Sequence, residues 1–187
     1  MKVYLYDDKG AYTEDYTCQA NPLVADAFII PIASLSIAPV FSQGLWPVAV
    51  NSAWTYVEDH RGETVYSTTN GCLEVWEELG ALPSDVTTKP RPNSNYLWDG
   101  ADWVFSIDLW RQSANCTAYQ FRAALNELSK RQQVETAVTD STSQDLKDAW
   151  EYGTTYDRLS PYVLDMQAAL GSTDDEVDAI FELAVTK

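Results

Sequence analysis

"AWTYVEDHRGETVYSTTNGCLEVW", residues 53 to 76, decides between two architectures. It holds the only histidine of the chain, His60, inside the polar knot Glu58-Asp59-His60-Arg61-Gly62. On each side lies a run rich in aromatic and β-branched residues. Read as a catalytic loop, the knot would make the chain an enzyme. Read as a turn, it makes the chain a succession of short β elements suited to binding. A histidine acting as a base needs an orienting partner and a nucleophile. Asp59 is adjacent, but neighbours on an extended chain point to opposite faces. Cys72 and Ser52 could approach, yet no nucleophile motif such as GxSxG occurs. A lone histidine does not make a metal centre without further ligands at suitable spacing. The reading as a turn ending at Gly62 is preferred, and no catalytic residue is expected.

The same grammar extends over residues 1 to about 110. Lys9-Gly10, Asn51-Ser52, Asn70-Gly71 and Asp99-Gly100 each separate two runs of β-forming residues. Asn-Gly and Asp-Gly tolerate the positive φ that tight hairpins require, so a string of hairpins is predicted. The second and fourth hairpins form a loose repeat, one bracketed by Trp46 and Trp54, the other by Trp98 and Trp103. Two proline-marked connections interrupt them. "QANPLVADAFIIPIASLSIAPVF" is predicted to run extended because Pro22, Pro31 and Pro39 bar a helix. "LPSDVTTKPRPNSN" reads as an irregular strap.

From about residue 116 the period changes to that of a helix. "TAYQFRAALNELSKRQQVETAV" spaces Phe121, Leu125 and Leu128 on one face, with Tyr119 nearby. "SQDLKDAWEY" starts at Ser143 and puts Leu146, Ala149 and Trp150 together. "SPYVLDMQAALG" has Ser160 as cap, Pro161 at the first helical position and Gly171 as the stop. "STDDEVDAIFELAVTK" has Thr173 as cap, acids in the first turn, and a stripe of Val177, Ile180, Phe181 and Ala184. The expected fold class is α+β: β-hairpins over 1–112, then a small bundle of about four helices over 113–187. Isolated hairpins are marginal in water, so the first half needs something larger to pack on.

Composition narrows the function. Of 187 residues, 28 are acidic and 12 basic, a formal net charge of −16. Such a surface repels nucleic-acid phosphate and anionic lipid, so neither is an expected partner. Cys18, Cys72 and Cys116 form no CxxC pair, which argues against a zinc or redox site and for folding in a reducing compartment. The acids at 174 to 176 do not match a calcium loop, and no cofactor is expected. "MKVYLYDDKG" lacks the apolar core of a signal peptide, and "AFIIPIASLSIAPVF" is too short to span a bilayer. What stands out is aromatic content: seven Trp and 11 Tyr. Short strands cannot bury so many large rings, so part of them is expected to form a binding platform for protein or sugar.

The order of these motifs resembles phage tail-fibre assembly proteins. "MKVYLYDDKGAYTEDYTCQANPLVADAFIIP" is similar to their opening. Trp54 through Val57, then Asp59-His60-Arg61-Gly62 and Val65-Tyr66, match a following block in which DHRG is the most specific element. Leu82-Pro83, Thr87-Thr88 through Pro92, and Tyr96 to Val104 continue it. Residues Trp150 to Pro161 and Ala168 to Phe181 are similar to a helical module of phage tail proteins, where the best-known assembly proteins end in a shorter tryptophan-rich tail. The resemblance implies a chaperone acting in the host cytoplasm on the C-terminal tip of a trimeric tail fibre, with some members staying on the virion tail. Its partner-binding residues would be Trp46, Trp54, Tyr56, Arg61, Trp98, Trp103 and Trp110, with DHRG fixing strand register and Arg61 touching an acidic partner. Two alternatives stay open: a permanent structural component of the tail, and a module binding a host surface glycan or receptor.

Overall fold

A computed structural model describes all 187 residues. The chain is α+β and divides into two compact units, Met1–Arg91 with Trp98–Asp102, and Pro92–Leu97 with Trp103–Lys187.

The first unit is built from short antiparallel pairs. β1 (Lys2–Tyr6) and β2 (Tyr12–Thr17) form a hairpin with a register shift between Tyr4 and Tyr6. β3 (Gln19–Ala20) pairs with β4 (Phe28–Ile29), and β5 (Ser34–Leu35) adds to the free edge of β1. β6 (Leu45–Val50) and β7 (Ala53–Glu58) are in register over six pairs, from Leu45 opposite Glu58 to Val50 opposite Ala53. Asn51 and Ser52 turn between them at φ 51° and 63°. This mirror-image turn matches the right-handed twist of the strands. β8 (Thr64–Ser67) lies between β9 (Leu73–Val75) and β10 (Val86–Thr87).

Gly10 joins the β1–β2 hairpin to the β6–β7 hairpin. At φ +86° its carbonyl accepts from the Ala49 amide at 2.7 Å, and a Cβ there would stand 2.8 Å from the Ala49 carbonyl oxygen. Only glycine fits that approach.

The DHRG knot is a turn, but not a hairpin turn. β7 pairs with β6, and β8 pairs with β9 and β10, so the knot carries the chain from one sheet to another. The His60 carbonyl accepts from the Glu63 amide at 3.0 Å, with Gly62 at φ 82°. The Gly62 amide donates to the Trp76 carbonyl at 2.8 Å, and the Trp76 amide donates to Glu63 at 2.9 Å. These bonds extend the β8–β9 ladder by one rung beyond Thr64 opposite Val75.

β11 (Tyr96–Trp98) and β12 (Trp103–Phe105) pair around Asp99-Gly100, and the division between units passes through this hairpin. The second unit then adds α1 (Ile107–Ser113), β13 (Asn115–Thr117), α2 (Ala118–Glu127), α3 (Arg131–Asp140), α4 (Gln144–Tyr152), β14 (Thr155–Asp157), α5 (Pro161–Leu170) and α6 (Asp174–Ala184). There are six helices, not about four. α1 occupies a stretch read as the end of the strand-rich half. The run after Thr117 breaks in two, because Ser129 turns left-handed at φ 55° and the Lys130 amide returns to the Leu125 carbonyl. Leu128 therefore caps α2 and stays 39% exposed, while Phe121 and Leu125 are buried.

Capping follows the sequence closely. Thr173 and Glu176 satisfy each other's backbone amides, as do Thr117 and Gln120. Ser143 accepts from Leu146. Ser160 differs: its hydroxyl donates to the Asp157 carbonyl at 2.7 Å, and α5 starts on Pro161. Gly171 ends α5 in the left-handed region at φ 60°. β13 and β14 clip the bundle, with Cys116 opposite Tyr156. The core gathers Phe121, Leu125, Val134, Val163, Ile180 and Phe181, and Trp110 and Trp150 close its margin. One polar element is buried in it: Arg158, 1% exposed, bonded to Asp178, 5% exposed.

Candidate functional site

His60 sits 3.0 Å from Glu63 Oε2 through Nδ1 and 3.1 Å from Glu58 Oε2 through Nε2. Both ring nitrogens are thus occupied by carboxylates. The bond to Glu63, then that to Glu58, raises its pKa above the ordinary value and favours the imidazolium. No group of three or more His, Cys, Asp or Glu side chains is placed to hold a metal ion.

Arg61 turns inward. Its Nε donates to Asp59 Oδ1 at 2.7 Å and a terminal nitrogen donates to Oδ2 at 2.9 Å. The guanidinium holds the Asp59 carboxyl below its ordinary range. Its flat face lies 4.5 Å from the centre of the Trp46 ring, a cation–π contact. Within the chain, Asp59 takes Nε and one terminal nitrogen of the guanidinium.

The structure brings Trp46, Trp54, Tyr56 and Arg61 together. Tyr12 is the hub: its ring centre is 5.2 Å from Phe41, 6.1 Å from Trp46 and 6.1 Å from Trp54. Tyr6 adds an edge-on contact to Trp54. The polar ends of these rings are used on backbone. The Trp46 indole donates to the Tyr12 carbonyl, and the Trp54 indole donates to the Ile37 carbonyl at 2.7 Å. The Tyr56 hydroxyl accepts from the Val40 amide at 2.9 Å. Trp54 and Tyr56 project from one face of β7, as residues two apart on a strand must. Together they pin residues 37 to 40 by their main chain. Trp98 lies in the same unit. Trp103, 8% exposed, and Trp110, packed on the helical core, lie in the other. The seven residues singled out in the sequence are thus divided between units, and four of them form one cluster.

What the pinned segment displays was not singled out in the sequence. Between Leu23 and Phe41, nine large apolar side chains are exposed: Leu23, Val24, Phe28, Ile29, Ile30, Ile32, Ile37, Val40 and Phe41. Leu23 is 91% exposed and Ile32 fully exposed. The first unit buries very little in return: its hydrophobic residues under the surface are Val3, Ala11, Cys18 and Val65. A contiguous apolar segment of this kind marks an interaction surface. β9 adds Leu73 and Val75, both more than half exposed, on an edge strand with a free row of backbone groups. The composition of the segment was a visible signal. Its exposure was not, since apolar runs are ordinarily core.

A groove of about 440 Å³ runs beside Arg61, lined by Asp7, Lys9, Val48, Glu77 and Leu79 among others. Its lining is of mixed charge.

Comparison with known proteins gives one consistent relationship. The chain is related to phage and prophage tail fiber assembly proteins. It is 32% identical over 128 residues to the prophage tail fiber assembly protein homolog TfaE of Escherichia coli, covering 67% of this chain and 62% of that protein. It is 37% identical over 97 residues to the homolog TfaR of Escherichia coli, covering 50% and 51%. It is 31% identical over 97 residues to the tail fiber assembly protein of Escherichia phage lambda, covering 50% of each. The chain thus spans about half to three-fifths of these relatives' lengths. No family model matches it, and no solved structure matches it. No helix is long and apolar enough to cross a membrane.

Proposed function

We propose that this chain is a tail-fibre assembly chaperone that covers the distal, C-terminal tip of a trimeric phage tail fibre while the fibre folds. The observation that carries this reading is the exposed apolar segment Leu23–Phe41, pinned at Ile37 and Val40 by Trp54 and Tyr56. Its relatives' names place them in fibre assembly. A fibre tip exposes apolar surface and strand edges until its three chains register, and an exposed apolar segment with an open edge such as β9 on the same unit can cover both. Burying a Val, Leu, Ile or Phe side chain fully contributes about 1.5–3 kcal/mol. Covering half of nine exposed ones gives on the order of 10 kcal/mol, similar to what association costs in lost freedom. The complex is therefore expected to form firmly only if the fibre adds hydrogen bonds or further contacts.

In this reading Trp46, Trp54, Tyr56 and Arg61 act chiefly as the scaffold beneath the contact segment, and Trp98 joins them on the same unit. No catalytic step is assigned to the chain, and assembly takes place in the host cytoplasm, where three free thiols persist. Co-expression tests the proposal. The fibre should be recovered as a soluble trimer with this chain and as aggregate without it. A fibre that trimerises equally well alone would refute a chaperone role.

A further inference from the structure

The helical unit carries seven cations: Arg111, Arg122, Lys130, Arg131, Lys147, Arg158 and Lys187. Five sit within an ion pair. Arg111 and Arg158 bond to Asp178, Lys130 to Glu176, Arg131 to Glu135 and Lys187 to Glu127. Arg122 and Lys147 have no carboxylate partner. In a chain with 28 acids and 12 bases, two unneutralised cations are unexpected, and they line one cleft.

That cleft, about 520 Å³, opens among α2, α3 and α4 and is bounded by Arg122, Arg131, Val138, Lys147, Trp150 and Glu151. Arg122 is held in place: its guanidinium lies 4.9 Å from the Trp150 ring centre and donates to the Trp150 carbonyl. Tyr156 stacks on the same indole at 6.4 Å and 11°. The Trp150 ring is therefore committed, while its N–H and the Lys147 ammonium have no acceptor within the chain. Arg131 gives its Nε to Glu135 at 2.8 Å and keeps its terminal nitrogens for another acceptor. The result is a concave set of preorganised donors around an apolar floor at Val138, on a molecule whose remaining surface is acidic.

We propose that this cleft binds a short acidic peptide segment of a partner protein, with its carboxylates on Lys147, Arg122 and Arg131. Guanidinium groups fixed by packing recognise carboxylates in a defined plane, and Lys147 adds a point charge. A long polyphosphate fits less well. The net charge of −16 repels an extended polyanion, Glu151 lines the cleft, and Glu135 is paired with Arg131. Two or three carboxylates, screened from the rest of the surface within a Debye length of about 8–10 Å, meet only the local positive field.

Fluorescence anisotropy on the full chain tests this, with a labelled octapeptide rich in Asp and Glu and a twin carrying Asn and Gln. The acidic peptide should bind saturably and the twin should not. Lys147→Glu, whose side chain has no partner to lose, should weaken binding about tenfold or more, Lys147→Arg should restore it, and Arg131→Gln should weaken it independently. Circular dichroism should show all three variants folded. The proposal is overturned if the acidic peptide fails to saturate at millimolar concentration, if the neutral twin binds equally, or if both variants bind like the parent. It is also overturned if a single-stranded oligonucleotide binds as tightly, since the site would then be a polyanion site.

Discussion

Arg158 Nε lies 2.6 Å from Asp178 Oδ1, and the two side chains are 1% and 7% exposed. The rest of the Arg158 fork is filled by Gln167 Oε1 at 3.2 Å and Asp174 Oδ1 at 3.0 Å. The second oxygen of Asp178 accepts from Arg111 at 2.7 and 2.9 Å. One buried carboxylate thus ties α1, the end of β14 and α6, while Asp174 and Gln167 bring in α5.

Breaking such a pair is far more costly than never having it, because the survivor is left buried and unpaired. Asp178→Ala is predicted to destabilise the helical unit by about 3–5 kcal/mol. The double replacement Arg158→Met with Asp178→Leu should cost clearly less than Asp178→Ala alone. Urea unfolding followed by far-UV circular dichroism measures both. Equal losses in the two variants would mean that the pair contributes by attraction and not by mutual neutralisation.

The helical unit is predicted to fold alone only if its α1 is included. A fragment of residues 92–187 retains Trp110 against the core and Arg111 on Asp178. A fragment of residues 113–187 loses both. Thermal melts should show a cooperative transition in the longer fragment and a lower or absent one in the shorter. In the longer fragment Trp150→Ala should cost about 3 kcal/mol, the low end of the range for a large aromatic, since the ring is only partly buried.

His60 provides a pH test. Its folded pKa is raised by Glu63 first and Glu58 second. The stabilisation is therefore complete below the unfolded value of about 6.5 and is lost as pH rises through the higher folded value. Proton NMR of the single imidazole should give a midpoint above about 6.5. Glu63→Gln should lower that midpoint, and a parent midpoint at or below the unfolded value would contradict the double carboxylate contact.

Thiol chemistry separates the cysteines. Cys72 is exposed, whereas Cys18 and Cys116 are buried. Burial, with a smaller contribution from Asp157, pushes the Cys116 thiol up to about 11. At neutral pH a disulfide reagent should modify one thiol per native chain and three after denaturation. Rapid labelling of two or more native thiols would show that a buried site opens.

Much of this architecture was legible because it is written in local chemistry. Asn51-Ser52 is a two-residue turn, Asn70-Gly71 and Asp99-Gly100 mark longer hairpin loops, and Thr173 with Glu176 is a reciprocal cap; each acts over a few bonds. What escaped depends on distant contacts. α1 follows directly on the β-forming run Trp103–Phe105, and its seven residues owe their place to Trp110 and Arg111 packing on residues far along the chain. The break at Ser129 carries neither Gly nor Pro, so nothing in the run of helix formers announces it. β13 and β14 are three residues each and pair across three intervening helices.

The candidate site was half legible for the same reason. Trp46, Trp54, Tyr56 and Arg61 were named among seven partner-binding candidates, but neither their grouping nor their orientation was legible. The Trp54 indole and the Tyr56 hydroxyl face the backbone of residues 37 to 40 and the Trp46 indole faces the Tyr12 carbonyl, while the most exposed apolar side chains belong to the segment Leu23–Phe41. Sequence pattern distinguishes a face of a strand, not which of two neighbouring segments lies outermost.

The central claim is that Leu23–Phe41 is the surface that meets the fibre. Its most direct measurement is co-elution on size-exclusion chromatography of the fibre from the same phage genome with full-length protein carrying Leu23→Asp and Ile32→Asp. Both side chains are at least 91% exposed, so the variant should keep the parent's circular dichroism and melt. Tyr152→Ser, at a 72% exposed position on the helical unit, is the control. The account predicts a complex with the parent and the control and none with the double variant. Undiminished co-elution of the double variant would contradict it and move the contact surface elsewhere on the chain.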